Sequence, residues 1–222
     1  AYDPNPLNYN IIKQTQDMWR LLDVLDVARC AVVGTSMGGL MGVLMANERP
    51  DRIGALVLND VGPEVDPRGL ARIAGYVGVD VSAGDWGEAA AQLKIVHAQA
   101  FPTYSDEDWL RLARATYRDD DGRLVLDYDP ALAVALGQMA KAPLDLWPAF
   151  EVLRHTPTLV LRGALSDILS ETTLAEMKRR FPAIETAIVP DRGHAPDLGE
   201  PESLRAVADF LATIEIAEQM GG

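Results

Sequence analysis

Gly34-Thr35-Ser36-Met37-Gly38 places a serine between two glycines, each two positions away. That spacing suits a serine on a tight turn from strand to helix. The backbone there is strained, the hydroxyl projects above the sheet, and side chains two before and two after would clash across the turn. The amide of Met37, at the N-terminal end of the helix, would then point at the oxyanion of a carbonyl under attack. The bland alternative is a glycine-rich turn with an incidental serine. Six serines and 18 glycines among 222 residues leave a chance expectation of roughly 0.04 such matches. An apolar strand before the motif and a helical pattern after it lower that figure further.

A serine hydroxyl is a weak nucleophile until a base takes its proton, so a histidine is required. The chain has three. His97 lies in a helical patch, where packing is the expected role. His155 precedes a strand, the wrong end for a site built on the C-terminal edges of strands. His194 lies in Asp191-Arg192-Gly193-His194-Ala195-Pro196, between the last strand and the last helix, where active sites of open α/β sheets collect. The imidazole in turn needs a carboxylate to hold its tautomer. Asp167, after the strand at Thr158 to Leu161, is favoured. Its competitor is Asp60, which ends an earlier strand; either could instead cap a turn.

The elements that must position these groups are legible in the hydrophobic pattern. Ile12, Met18, Trp19, Leu22 and Leu25 give a helix within 9–27. Cys30 to Val33, Ile53 to Leu58, Thr158 to Leu161 and Thr186 to Val189 read as short buried strands. Helices are expected at 40–47, 172–180 and 201–216, the last with Pro201 in its first turn. This alternation predicts an α/β fold, a mostly parallel sheet with helices on both faces. Between residues 64 and 147 the texture changes to helical patches at 70–77, 89–99 and 106–117. Turn-rich pieces such as Asp119-Asp120-Asp121-Gly122 separate them, and the one weak strand is Leu124-Val125-Leu126. The expected division is a core in two parts, 1–63 and 148–222, with a helical cap at 64–147. Trp86, Phe101, Trp109, Trp147 and Phe150 are candidates for an apolar pocket, although core packing is the expected role for most.

Composition narrows the partners. Apolar residues make up 48% and charged residues 24%, which is ordinary for a globular chain. A net charge of −13 disfavours nucleic acid and anionic membranes. No membrane-length apolar stretch and no leader pattern is visible, and a single cysteine, Cys30, excludes an internal disulfide and a cysteine metal cluster. A cytoplasmic setting without cofactor or metal is the resulting expectation.

G-T-S-M-G-G at 34–39, L-R-G-A-L-S-D-I-L at 161–169 and D-R-G-H-A-P at 191–196, with the position of the cap, resemble the α/β-hydrolase superfamily. The likeness is to its cofactor-free, capped branch, which includes enol-lactonases and meta-cleavage-product hydrolases. The resemblance implies Ser36 as nucleophile, Asp167 as acid and His194 as base. It also marks a departure. Family members begin with strands and a His-Gly loop that supplies a second oxyanion amide, and Ala1 to Leu7 matches neither. Ala1-Tyr2-Asp3 resembles the stretch after the fourth strand, so Ala1 is not expected to be the native start. The expected function is hydrolysis of a small carboxylic ester or lactone through an acyl-enzyme. Its rivals are hydrolysis of a carbon–carbon bond in a vinylogous diketone and a non-catalytic ligand-binding role. A homo-oligomer or a missing N-terminal segment would complete the sheet.

Overall fold

The structure, a computed structural model, describes residues 2–139 and 145–220. Ala1, residues 140–144 of the expected cap and residues 221–222 lie outside the described residues. The chain enters through α1 (Ile11–Val24), whose N-terminus is capped by the Asn10 side chain accepting from the Lys13 amide. It continues through β1 (Cys30–Thr35), α2 (Met37–Glu48) and β2 (Ile53–Asn59). The insert between β2 and β6 follows: α3 (Pro67–Ala74), β3 (Ser82–Ala83), α4 (Trp86–His97), α5 (Asp106–Thr116), β4 (Tyr117–Asp120), β5 (Arg123–Leu126) and α6 (Leu132–Met139). After α7 (Trp147–Phe150) come β6 (Thr158–Gly163), α8 (Glu171–Arg180), β7 (Glu185–Val189) and α9 (Pro201–Met220).

The main sheet has the order β1-β2-β6-β7, with every neighbouring pair parallel. Every residue of β2 and of β6 is buried. Strands covered on both faces read as unbroken apolar runs, which is why these segments stood out in the sequence. Alternate residues serve the two faces. Leu56, Leu58 and Val160 pack with Val43 and Met45 of α2, Phe150 and Met177. Ala55, Val57, Leu159 and Leu161 pack with Phe210 of α9. Each large side chain so buried stabilises the fold by roughly 1.5–3 kcal/mol before entropy is counted.

The insert is not all helix, as its texture had suggested. It carries a three-stranded antiparallel sheet, β3-β5-β4. The β4–β5 hairpin turns at Asp121 and Gly122, both with positive φ (51° and 83°), between the paired Asp120 and Arg123. Two consecutive positive-φ residues match the right-handed twist of a two-residue hairpin, and Asp-Gly is a preferred sequence for it. Ala89, Leu93, Phe101, Trp109, Tyr117 and Leu124 form a core belonging to the insert alone. Phe101, Trp109 and Phe150, candidates for pocket lining, are thus buried as packing residues. Trp147 donates its indole N–H to Glu64 Oε1 (2.7 Å), and Trp86 lies beneath the Arg114 guanidinium.

Candidate active site

Ser36 stands between β1 and α2 with φ 52° and ψ −120°, a conformation that costs a non-glycine residue of order 1–3 kcal/mol. The demand for a missing side chain falls on Gly34: a Cβ there would meet the Gly38 carbonyl carbon and oxygen at 2.4 Å. Gly38 itself has nothing within 4 Å of a built Cβ, so the clash expected at both glycines exists at one. Gly39 adds a second close approach, 2.5 Å from Val61 Cγ1. The Ser36 amide donates to the Asn59 carbonyl (3.0 Å), which ties the turn to the end of β2. Met37 opens α2, where the first amides of a helix have no intrahelical acceptor.

His194 follows β7 in the loop before α9. Its Nε2 lies 2.9 Å from Ser36 Oγ. Its Nδ1 lies 2.7 Å from Asp60 Oδ2. With Nδ1 protonated, the imidazole donates to the carboxylate and Nε2 accepts from the serine hydroxyl. Asp60 is wholly buried and sits at φ 56°, just past β2. Its Oδ1 accepts from the Gly163 amide (2.9 Å), and its Oδ2 also accepts from Ser166 Oγ (2.6 Å).

Asp167, the sequence-based choice for the partner of His194, is placed elsewhere. Its carboxylate is gripped by Arg72 of α3, Nε to Oδ2 at 2.6 Å and Nη2 to Oδ1 at 2.8 Å. That hydrogen-bonded guanidinium holds the Asp167 carboxyl below its usual range. The structure therefore brings together Ser36, His194 and Asp60. Asp167 remains at the rim, lining a small cleft of about 80 Å³ with Arg72, Val96, Leu165 and His194. The physical reason lies in the β6–α8 loop. Ser166 accepts from the amides of Ile168 and Leu169 (3.1 and 3.0 Å), a turn that aims its hydroxyl, and not the neighbouring carboxylate, at the centre.

Three further residues frame the site. Asn59, fully buried, donates to Thr35 Oγ1 (3.0 Å) and to the Pro196 carbonyl (2.8 Å), linking the serine turn to the histidine loop. Arg162 holds the β6–α8 loop through the Leu169 carbonyl (2.7 Å). Gly163 admits the histidine loop: a Cβ there would lie 2.4 Å from the Arg192 carbonyl oxygen. The same loop is fastened to the insert. The Gly193 amide donates to the Ala100 carbonyl (2.7 Å), Arg192 donates to Thr103 Oγ1 (2.8 Å), and the Tyr104 hydroxyl donates to Asp197 Oδ2 (2.5 Å). His97 packs edge-on against Tyr76 (5.0 Å between centroids), and His155 ends the short turn before β6. Among the described residues, no three His, Cys, Asp or Glu are gathered so as to hold a metal ion, and no helix is long and apolar enough to cross a membrane.

Residues 2–201 match the family model described as alpha/beta hydrolase fold. The chain belongs to that family. This hydrolase is similar to the 3-hydroxybutyrate-oligomer hydrolase of Cupriavidus necator, 35% identical over 212 residues that cover 91% of this chain and 72% of that protein. It is 27% identical over 214 residues to the 2-(acetamidomethylene)succinate hydrolase of Mesorhizobium japonicum, covering 94% and 73%. Among solved structures, an alpha/beta hydrolase from Novosphingobium aromaticivorans superposes with a TM-score of 0.87 at 40% identity, covering 96% of this chain and 75% of that one.

Proposed function

We propose that this hydrolase cleaves a carboxylic ester or lactone through an acyl-enzyme, with Ser36 as nucleophile, His194 as general base and Asp60 as the carboxylate that orients it. The observation that carries the reading is the continuous chain from Ser36 Oγ through His194 (2.9 Å and 2.7 Å) to the buried Asp60. As Ser36 Oγ bonds to the carbonyl carbon, its proton passes to His194 Nε2. The Met37 amide, at the positive end of α2, donates to the oxyanion. Collapse breaks the carbon–oxygen bond, and the departing alkoxide takes the proton back from His194. Water then loses a proton to the same nitrogen, attacks the acyl carbon and releases the acid, while Ser36 recovers its proton. Asp60 stays ionised throughout and stabilises the imidazolium. The insert between β2 and β6, bonded to the histidine loop through Ala100, Thr103 and Tyr104, would serve as the cap of this centre.

Hydrolysis of a carbon–carbon bond in a vinylogous diketone would use the same three residues. Similarity to a hydrolase of hydroxy-acid oligomers, whose units are joined by ester bonds, favours the ester. The test is covalent labelling by a fluorophosphonate, read as a mass increase on the Ser36 peptide. Labelling is expected in the wild type and lost in Ser36→Ala and His194→Ala. A label on another residue, or full esterase activity in Ser36→Ala, overturns the reading.

A further inference from the structure

Inside the insert, α3, α4 and the small sheet enclose a second cleft of about 280 Å³. Its walls are Val77, Val79, Val81, Leu93, Val96 and Leu126, with the rings of Tyr76, His97, Tyr117 and Tyr128. Val79 and Val96 are 48% and 39% exposed, so apolar surface faces water there. Three polar side chains on this wall have partners within the insert. Tyr117 Oη donates to Gln92 Oε1 (2.8 Å), Gln92 Nε2 donates to the Ser82 carbonyl (3.0 Å), and Tyr128 Oη accepts from the Gly78 amide (3.2 Å). Burial and the nearby Arg72 charge lower the pKa of His97, which keeps its ring neutral.

Val96 lines both this chamber and the small cleft beside His194. Arg72 of α3 lines the small cleft, while Gly75 and Tyr76, just past the end of α3, line the chamber. Along α4 and the turn after it, Leu93 lines the chamber, Val96 lines both spaces and Ala100 lines the small cleft. A space lined this way rewards burial of hydrocarbon and offers no charge to a polar group.

We propose that this chamber is an acyl-chain site. It takes an unbranched aliphatic chain of the substrate, with the scissile carbonyl at Ser36 and the chain passing Val96. At about 30 Å³ per water-sized group, about 280 Å³ holds roughly nine such groups, and so a chain of about that many carbons. The assignment rests on the ester-hydrolase reading and extends it to substrate choice.

The experiment compares kcat/KM for p-nitrophenyl esters from acetate to dodecanoate in the wild type and in Val79→Trp, which fills the chamber from an exposed position. In the wild type, the value should rise up to about fourfold per added methylene, level off near octanoate and fall at dodecanoate. In Val79→Trp, the octanoate-to-acetate ratio should drop at least about tenfold, with the melting temperature confirming the fold. A flat wild-type profile, or the same profile in the variant, overturns the assignment while leaving esterase function intact. Calorimetric binding of octanoate reads the chamber without turnover. If no ester is hydrolysed, the functional reading falls, and binding to the wild type but not to Val79→Trp still supports the chamber. Equal binding to both, or to neither, rejects it.

Discussion

A carboxylate excluded from water is tolerated only when its lone pairs are occupied. Asp60 meets that condition through Gly163, Ser166 and His194, whereas Asp167 spends its oxygens on Arg72 and remains partly open to solvent. Asp60→Asn is therefore expected to lower kcat by about 10⁴-fold, the handicap of an imidazole in the wrong tautomer. Asp167→Asn should lower it by less than about tenfold. A steady-state comparison of the two variants decides the ranking. The glycines separate in the same way. Gly34→Ala should destabilise by about 1–3 kcal/mol through its clash with the Gly38 backbone. Gly38→Ala, helical and unobstructed, should be neutral or stabilise by up to about 1 kcal/mol in urea unfolding. Ser36 and His194 were legible because a motif and a loop position single them out. The partner of His194 was not. Both aspartates follow buried strands and both lie between the serine and the histidine, so chain order could not separate them. What separates them is the turn at Ser166 and an arginine 95 residues from Asp167.

The histidine loop is an element held from two directions. Asn59 and Gly163 fix it to the core, and Ala100, Thr103 and Tyr104 fix it to the insert. Tyr104→Phe removes the bond to Asp197 and should cost about 1 kcal/mol of stability. If the bond also positions His194, the fluorophosphonate labelling rate of Ser36 should fall by more than the lost stability explains. An unchanged rate would make Tyr104 a packing residue only. The core strands and helices were readable to within a few residues because period and burial agree there. Of the β3-β5-β4 sheet only β5 was, as the weak strand Leu124-Val125-Leu126, with Asp121-Gly122 read as a turn. Its strands are two to four residues long, too short to show alternation.

On the scale of the whole molecule, the excess of acidic residues is partly held in place by arginines. Ser105, with help from Arg111, draws the Asp108 carboxyl down to about 2; Arg179 and Arg180 do the same for Glu176. Asp167, Asp23 and Asp66 are also lowered by hydrogen bonds to arginine side chains. A carboxyl lowered on folding stabilises above its unfolded pKa, near 4, and ceases to do so as pH falls toward its folded value. Melting temperature should therefore be nearly flat from pH 8 to 5 and decline between about pH 4 and 2. Because these pairs are mostly exposed, 1 M salt should shrink the decline. A melting temperature that rises on acidification would mean that relief of the −13 net charge outweighs the pairs.

The insert leaves the core just after Asp60 and returns before β6, so Ser36, Asp60 and His194 all lie outside it. Asp60 draws its hydrogen bonds from Gly163, Ser166 and His194, all outside the insert. One contact from the insert to the histidine loop is a backbone carbonyl, Ala100, which almost any residue could supply. The bonds that hold Asp60 therefore do not depend on the insert's own side chains. Remodelling the stretch between β2 and β6 is therefore expected to alter the cleft while the Ser36–His194–Asp60 distances stay as they are.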